Sequence, residues 1–215
     1  ISVTFSPMSL TCPLCHGALV PAEKSYRCEK GHAFDRAKEG YLSLLHGRQK
    51  GEGRGDSKAM ILARDRVHRA GVFDSLVSAL AALPFATPPK TVLELGCGEG
   101  FFLGHMVRSH GIATSYGLDL SVDAVKLAAK TLKQSLILRA DLLNPLTFAD
   151  GSLDLIQSIF ANGGGNESLS TLLLQRLETM VTIGDYAFVH AGVRPGVALA
   201  DQAEEDLMWI RRDFV

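Results

Sequence analysis

Net charge is nearly absent from this 215-residue chain, in which 22 lysines and arginines face 23 aspartates and glutamates. A balance of −1 and a pI near 6.7 exclude wholesale electrostatic attachment to nucleic acid, so any such contact must come from a local basic face. Long apolar runs are missing as well. The most apolar stretch, LVSALAALPFA, is broken by Pro84 and falls short of the roughly 18 residues that cross a bilayer, so no membrane span is expected. Ile1–Pro7 lacks a basic n-region, so no secretory signal is expected either, and Met8 reads as the natural start. Cysteine is scarce, with four in all. Without a secretory signal these point to a reducing, cytoplasmic setting. The length suits one well-buried α/β domain with a small satellite module.

What cysteine there is lies close together. Thr11–Asp35 holds three of the four, with the spacing Cys12-x2-Cys15, then twelve residues, then Cys28-x3-His32. Two close pairs joined by a short hairpin set four soft or borderline ligands at the corners of a tetrahedron, which suits Zn²⁺. A disulfide pair would need Cys97, which sits far away inside another motif. His16 directly follows Cys15 and reads as a surface side chain. A closed four-ligand site stabilises a fold and offers no position to a substrate.

After it, Gly47–Gly55 is polar, basic and glycine-rich, and reads as a loop. Asp56 or Ser57 caps a helix that runs to about Ala70, with Gly71 as its stop. Two roles stand open for this segment: a linker with a packing helix, or an RNA-backbone contact through Arg48, Lys50, Arg54, Arg64 and Arg66.

The next motif is TVLELGCGEGFFLGHMV. A β-branched apolar run, Thr91–Leu95, leads into Gly96-x-Gly98-x-Gly100 and then a helical pattern, the first unit of a doubly wound sheet. Phe101 takes the third glycine position of the dinucleotide fingerprint, and Glu94 stands two residues before Gly96. This E-x-G-x-G-x-G form, with Cys97 as a small loop-packing residue, resembles the first motif of class I S-adenosylmethionine (SAM) methyltransferases. In those the acidic residue and the loop receive the methionine end of the cofactor. A second strand ends in Asp119, 21 residues beyond Gly98, where a carboxylate accepts both ribose hydroxyls. Ser121 caps a helix over Val122–Leu132. A third strand ends near Asp141, placed for the adenine amino group, and a fourth lies near Leu153–Ile159. Leu120 and Leu142 adjoin the two carboxylates. Turn or cap chemistry is the plainer role for Asp119 and Asp141.

From Met8 to about Ile159 the chain resembles the bacterial 23S rRNA (guanine-N1)-methyltransferase family. CPLCHGAL, YRCEKGHAFDRAKEGYLSLL, GDSKAMILARDRVHRAGVF and VLELGCGEGFF carry the likeness. It implies a zinc-binding module over 9–46, a basic loop and linker helix over 47–71, and a Rossmann-like SAM domain over 72–215. It implies zinc on Cys12, Cys15, Cys28 and His32, and SAM in a pocket of Glu94, Gly96, Cys97, Gly98, Gly100, Asp119, Leu120, Asp141 and Leu142. The implied substrate is a guanine in a 23S ribosomal RNA hairpin, with Phe160, Arg48, Lys50 and Arg54 on the substrate side. A homodimer is a further partner expectation. No residue is assigned to take the N1 proton. Family members carry a proline where Asn162 stands, and no K-P-G-G-type turn follows here.

Residues 160–215 instead resemble a segment of bacterial serine/threonine-type metallophosphatases, through GDYAFVHAGVRPGVALADQAEEDLMWIRRDF. There the histidine corresponding to His190 binds one metal of a two-metal site, but the other ligand blocks are missing, and one histidine cannot assemble such a centre. A junction of two unlike pieces is expected at Gln157–Asn162. The second piece, with helical spacing over Ser168–Val181 and an apolar strand at Tyr186–Val189, is expected to supply a fifth βα unit. Three alternatives to the methyltransferase stand beside it: a non-catalytic zinc-dependent RNA-binding protein, a small-molecule methyltransferase, and, remotely, a metallophosphatase fragment.

Overall fold

Four parallel strands follow from the βα pattern that begins at Thr91, and the computed structural model places a fifth beside them. The structure describes residues 10–45, 55–142, 144–159, 180–183, 186–189, 197–198 and 201. The strands are β1 (Val20–Pro21), β2 (Ser25–Arg27), β3 (Ala33–Asp35), β4 (Leu42–Ser43), β5 (Thr91–Leu95), β6 (Thr114–Asp119), β7 (Leu136–Arg139), β8 (Leu155–Ser158), β9 (Met180–Ile183) and β10 (Tyr186–Val189). The helices are α1 (Lys58–Arg69), α2 (Asp74–Ala81), α3 (Phe101–His110) and α4 (Val122–Thr131).

The central sheet has the order β4-β7-β6-β5-β8, parallel throughout. From β5 the chain steps outward through α3 to β6 and through α4 to β7, then returns across the sheet to β8 on the other side of β5. That reversal opens a crevice at the carboxyl end of β5, where doubly wound sheets receive ligands. Local chemistry marks the helix starts. Ser57 caps α1 and Ser121 caps α4, each side chain accepting a backbone N–H from the first turn.

The two faces of the sheet bury different partners. Val92 and Ile137 pack under Leu76, Leu103, Met106 and Val125 of the helices. On the opposite face Leu93, Leu95, Tyr116, Leu118, Leu136 and Leu138 share one core with Leu10, Leu19, Tyr26, Phe34 and Leu42 of the cysteine-rich segment. This segment was expected as a satellite. It forms the small antiparallel sheet β1-β2-β3, then contributes β4 as the edge strand against β7, with Leu42 opposite Leu138. Leu44 N–H extends the ladder to Arg139 C=O at 2.9 Å, and Thr11 N–H reaches Thr147 C=O at 2.9 Å.

β9 and β10 differ from the expected fifth βα unit. They pair antiparallel in a separate two-stranded sheet, Ile183 opposite Tyr186. Met180 and Val181, expected at the end of a helix, lie in β9, whose Val181, Thr182 and Ile183 are all β-branched and favour extended backbone. The rest of that expected helix, 168–179, lies outside the described residues.

Candidate functional site

Two knuckles hold the cysteine cluster. His16 N–H bonds Cys12 C=O at 2.8 Å, and His16 adopts positive φ to turn the chain after Cys15. Gly31 does the same before His32, its N–H reaching Cys28 C=O at 3.0 Å. The ligand atoms of Cys12, Cys15, Cys28 and His32 all lie within 4.8 Å of one another. Cys15 and Cys28 sulfurs are 3.6 Å apart, and His32 Nδ1 stands 3.5 Å from Cys12 Sγ and 3.4 Å from Cys28 Sγ. Zn–S bonds of about 2.3 Å and a Zn–N bond of about 2.0 Å give tetrahedron edges of about 3.5–3.8 Å, close to these three separations, so the donor set suits a zinc ion. Leu14 N–H points at Cys12 Sγ from 3.4 Å and offsets part of the burial that raises the Cys12 pKa.

The second constellation occupies the crevice at the carboxyl ends of β5, β6 and β7. Gly96, Gly98 and Gly100 all have positive φ, so the loop after β5 adopts a backbone closed to most side chains. It is anchored from β6: Asp119 Oδ2 accepts Gly98 N–H at 2.9 Å, while Oδ1 accepts Ser121 N–H at 2.8 Å. Burial raises the Asp119 pKa, and these two amides pull it partly back. Cys97 is buried behind the loop, and burial pushes its thiol well up, so it stays a neutral packing group. Glu94 is 1% exposed, and its Oε2 has no hydrogen-bond partner among the described residues. Burial, with the charges of Glu99 and Asp119 nearby, holds its carboxyl well above the usual range. A buried carboxylate oxygen without a donor, beside a glycine cradle, suits a cationic group such as an ammonium.

Helix α1 lies over this loop. Arg64, expected among RNA-backbone contacts, turns inward: it pairs with Asp56 and, with His68, lines a cavity together with Glu94, Gly96, Gly98, Glu99 and Ile159. Arg66, from the same expectation, is exposed. His68 Nδ1 pairs with Glu99 Oε1, both groups buried, and its ring stacks on Phe101 with centroids 4.2 Å apart. The chain before α1 is tied down too, since Ser121 Oγ donates to Asp56 C=O at 2.6 Å. The free space there is small, about 20 Å³, so a ligand on the loop would lie in contact with the α1 side chains. Neither His68 nor Glu99 was singled out from the sequence. They lie 31 residues apart, and the buried position of His68 on a polar helix is the one signal available.

Asp141 and Leu142 follow the end of β7, and Asp141 is buried. Asp141 lines a cleft of about 200 Å³ with Pro13, His16, Leu44, Leu118 and Asn144, so the zinc knuckle forms one of its walls. His16 is exposed, as expected of a surface group, and also helps to shape this cleft. Leu120 follows Asp119, and its carbonyl accepts Arg139 Nε at 3.2 Å. Phe160, Arg48, Lys50 and Arg54 lie outside the described residues.

The fold is thus mixed α/β with a parallel central sheet and an N-terminal Cys/His cluster of zinc-ribbon type. Residues 10–52 match the zinc-ribbon family described as "RlmA, N-terminal", and residues 92–180 match a family described as "Methyltransferase domain".

Particular relatives follow. The chain is 31% identical to the 23S rRNA (guanine(748)-N(1))-methyltransferase of Streptomyces fradiae, over 71% of this chain and 55% of that protein. A protein of Micromonospora griseorubida named "Putative 23S rRNA (guanine-N(1)-)-methyltransferase" is 29% identical, over 91% of this chain and 72% of its own length. One of Bacillus subtilis (strain 168) with the same name and the suffix YxjB is 33% identical, over 70% and 55%. The chain spans about half the length of the Streptomyces and Bacillus proteins.

Two of these matches run past the expected junction, while the Streptomyces and Bacillus relatives align with about 70% of the chain. The methyltransferase match runs on to residue 180, past Gln157–Asn162, and the Micromonospora relative aligns with 91% of the chain. The metallophosphatase resemblance of 160–215 is not supported, and His190 lies outside the described residues. Short sequence stretches such as VHAG carry too few positions to outweigh a match that extends along the whole βα series.

Proposed function

We propose that this chain carries the zinc-ribbon and cofactor-binding parts of a SAM-dependent methyltransferase acting on guanine N1 of 23S ribosomal RNA. One observation carries the reading: a zinc ribbon packed onto one face of a parallel sheet whose glycine loop adjoins a buried carboxylate with one unpartnered oxygen, in the chain order shared with the rRNA methyltransferases it resembles. Cys12, Cys15, Cys28 and His32 hold the zinc. Glu94, Gly96, Gly98 and Gly100 receive the amino-acid end of the cofactor, Asp119 with Leu120 the ribose, and Asp141 with Leu142 the adenine. Cys97 packs behind the loop as a neutral thiol.

The bound cofactor supplies an activated methyl group on a sulfonium. The chain's own contribution is to fix the two reactants in line and to shield them from water. The cleft between the zinc knuckle and Asp141 gives the ribbon a direct part in shaping the site's rim. Substrate recognition falls to the ribbon and to the basic loop with Arg48, Lys50 and Arg54, with Phe160 near the target base. An unpaired guanine in an RNA hairpin loop is open to such stacking and edge contacts. Among the described residues no helix is long and apolar enough to cross a membrane, and we place the protein in the cytoplasm with its RNA. Its expected homodimer is read by light scattering.

The test is calorimetric titration of SAM into zinc-replete protein, followed by methyl transfer to 23S rRNA read as a reverse-transcription stop, since N1-methylation blocks base pairing. Saturable SAM binding with a new stop supports the reading. SAM binding and RNA binding without a stop favours the non-catalytic RNA-binding alternative.

A further inference from the structure

We propose that Arg64 receives the carboxylate of the cofactor's amino-acid end, which rests on the cofactor assignment above and extends it to a residue outside the glycine loop. That end is a zwitterion. Its ammonium suits Glu94, but its carboxylate would enter a cavity lined by Glu94 and Glu99, with the Asp119 charge felt at Glu94. An anion there needs a cation from another element, and α1 supplies it. Arg64 Nη1 lies 3.3 Å from the position a Cβ on Gly98 would take, so the guanidinium rests against the loop itself. Glycine at 98 is what leaves room for that approach.

The other basic groups of α1 are engaged or face away. Arg69 Nε bonds Asp65 at 2.8 Å, Lys58 and Arg66 are exposed, and His68 is taken by Glu99. Arg64 is also held in place. Its Nη2 pairs with Asp56, whose carbonyl accepts Ser121 Oγ at 2.6 Å, while Asp119 bonds both Ser121 N–H and Gly98 N–H. This closed circuit returns to the loop under Arg64. A guanidinium has five N–H donors, and the pairing with Asp56 uses the Nη2 side, leaving Nη1 for a carboxylate in the geometry arginine favours. The Asp56 pair therefore orients the side chain and does not exhaust it.

Calorimetry with SAM and with decarboxylated SAM, which lacks only the carboxylate, isolates this contact. Both are titrated into zinc-replete wild-type protein and into Arg64→Gln and Arg64→Lys variants. Wild type is expected to prefer SAM by about 10- to 100-fold, the range of a charge-assisted hydrogen bond. Arg64→Gln is expected to erase that preference while binding the decarboxylated compound as wild type does, and Arg64→Lys to keep part of it. Equal wild-type affinity for the two compounds overturns the assignment, and needs no variant to fold. Equal weakening of both by Arg64→Gln overturns it too, since it shows a scaffold role. Wild type binding neither compound removes the cofactor reading, and the role of Arg64 with it. A preference that depends on Arg64 supports both.

Discussion

Replacing Glu94 by Gln is expected to stabilise the ligand-free protein at pH 8 while weakening SAM. Glu94 is 1% exposed, its Oε2 lacks a partner among the described residues, and Glu99 and Asp119 add like charge. Arg64 and His68 of α1 line the same cavity but are paired with Asp56 and Glu99. The folded state therefore holds the Glu94 proton more tightly than the unfolded chain does, so its pKa is raised on folding. The sign follows from linkage. Below the unfolded carboxylate pKa the group is protonated in both states and costs nothing; as pH rises from there toward the raised folded value, stability falls.

Gln keeps the shape and removes the charge. The Leu103 amide and the Gln157 side chain offset part of the burial cost, and a charge left incompletely paired in the interior costs about 1–3 kcal/mol more than a neutral amide there, which sets the expected gain at pH 8. For a chain of this size about 1 kcal/mol shifts Tm by about 2–4 °C, so a rise of about 2–12 °C is expected. Near pH 4 the two proteins should melt alike. The assay is thermal unfolding of wild type and Glu94→Gln across that pH range without cofactor, with SAM affinity measured alongside. A variant less stable than wild type at pH 8, or a difference that does not close toward low pH, refutes the buried-charge argument.

Two further outcomes are open to measurement. Chelating the zinc, or changing Cys28 to Ser, should release one metal equivalent to a colorimetric indicator and lower the unfolding temperature of the parallel sheet as well as the ribbon, because both share one core; a sheet transition that does not move would count against the shared core. Gly117→Ala should cost about 1–3 kcal/mol in urea unfolding, since the added Cβ would lie 2.9 Å from Cys97 Sγ, 3.0 Å from Ile137 Cδ1 and 3.1 Å from Leu103 Cδ2, all well packed. Wild-type stability in that variant would mean the loop behind Cys97 yields freely.

The parts of the fold legible in the sequence are those with strong local chemistry. The strand Thr91–Leu95, the three glycines after it, the Ser121 cap and the Cys-x2-Cys knuckle all act within a few residues of themselves. The paired β4 segment is two residues long, and nothing in Leu42–Ser43 says that its partner is Leu138–Arg139 almost a hundred positions later. Arg64 illustrates a second limit. Its helix was legible, but a polar helix does not declare which face meets the molecule, so packing and RNA contact both stood open for it. Met180 and Val181 illustrate a third: helical apolar spacing ran up to Val181, but the β-branched run that begins there belongs to β9.

The edge position of β4 bears on how this protein ages in a cell short of metal. An open parallel edge is a template for pairing with other chains, and β4 with the ribbon behind it covers both the β7 edge and the apolar face of Leu93, Tyr116 and Leu136. If the ribbon loosens when zinc leaves, the first thing lost is the shield over a sticky sheet. Scarcity of metal would then show itself as aggregation and turnover of the protein before it showed itself as a change in what the protein binds.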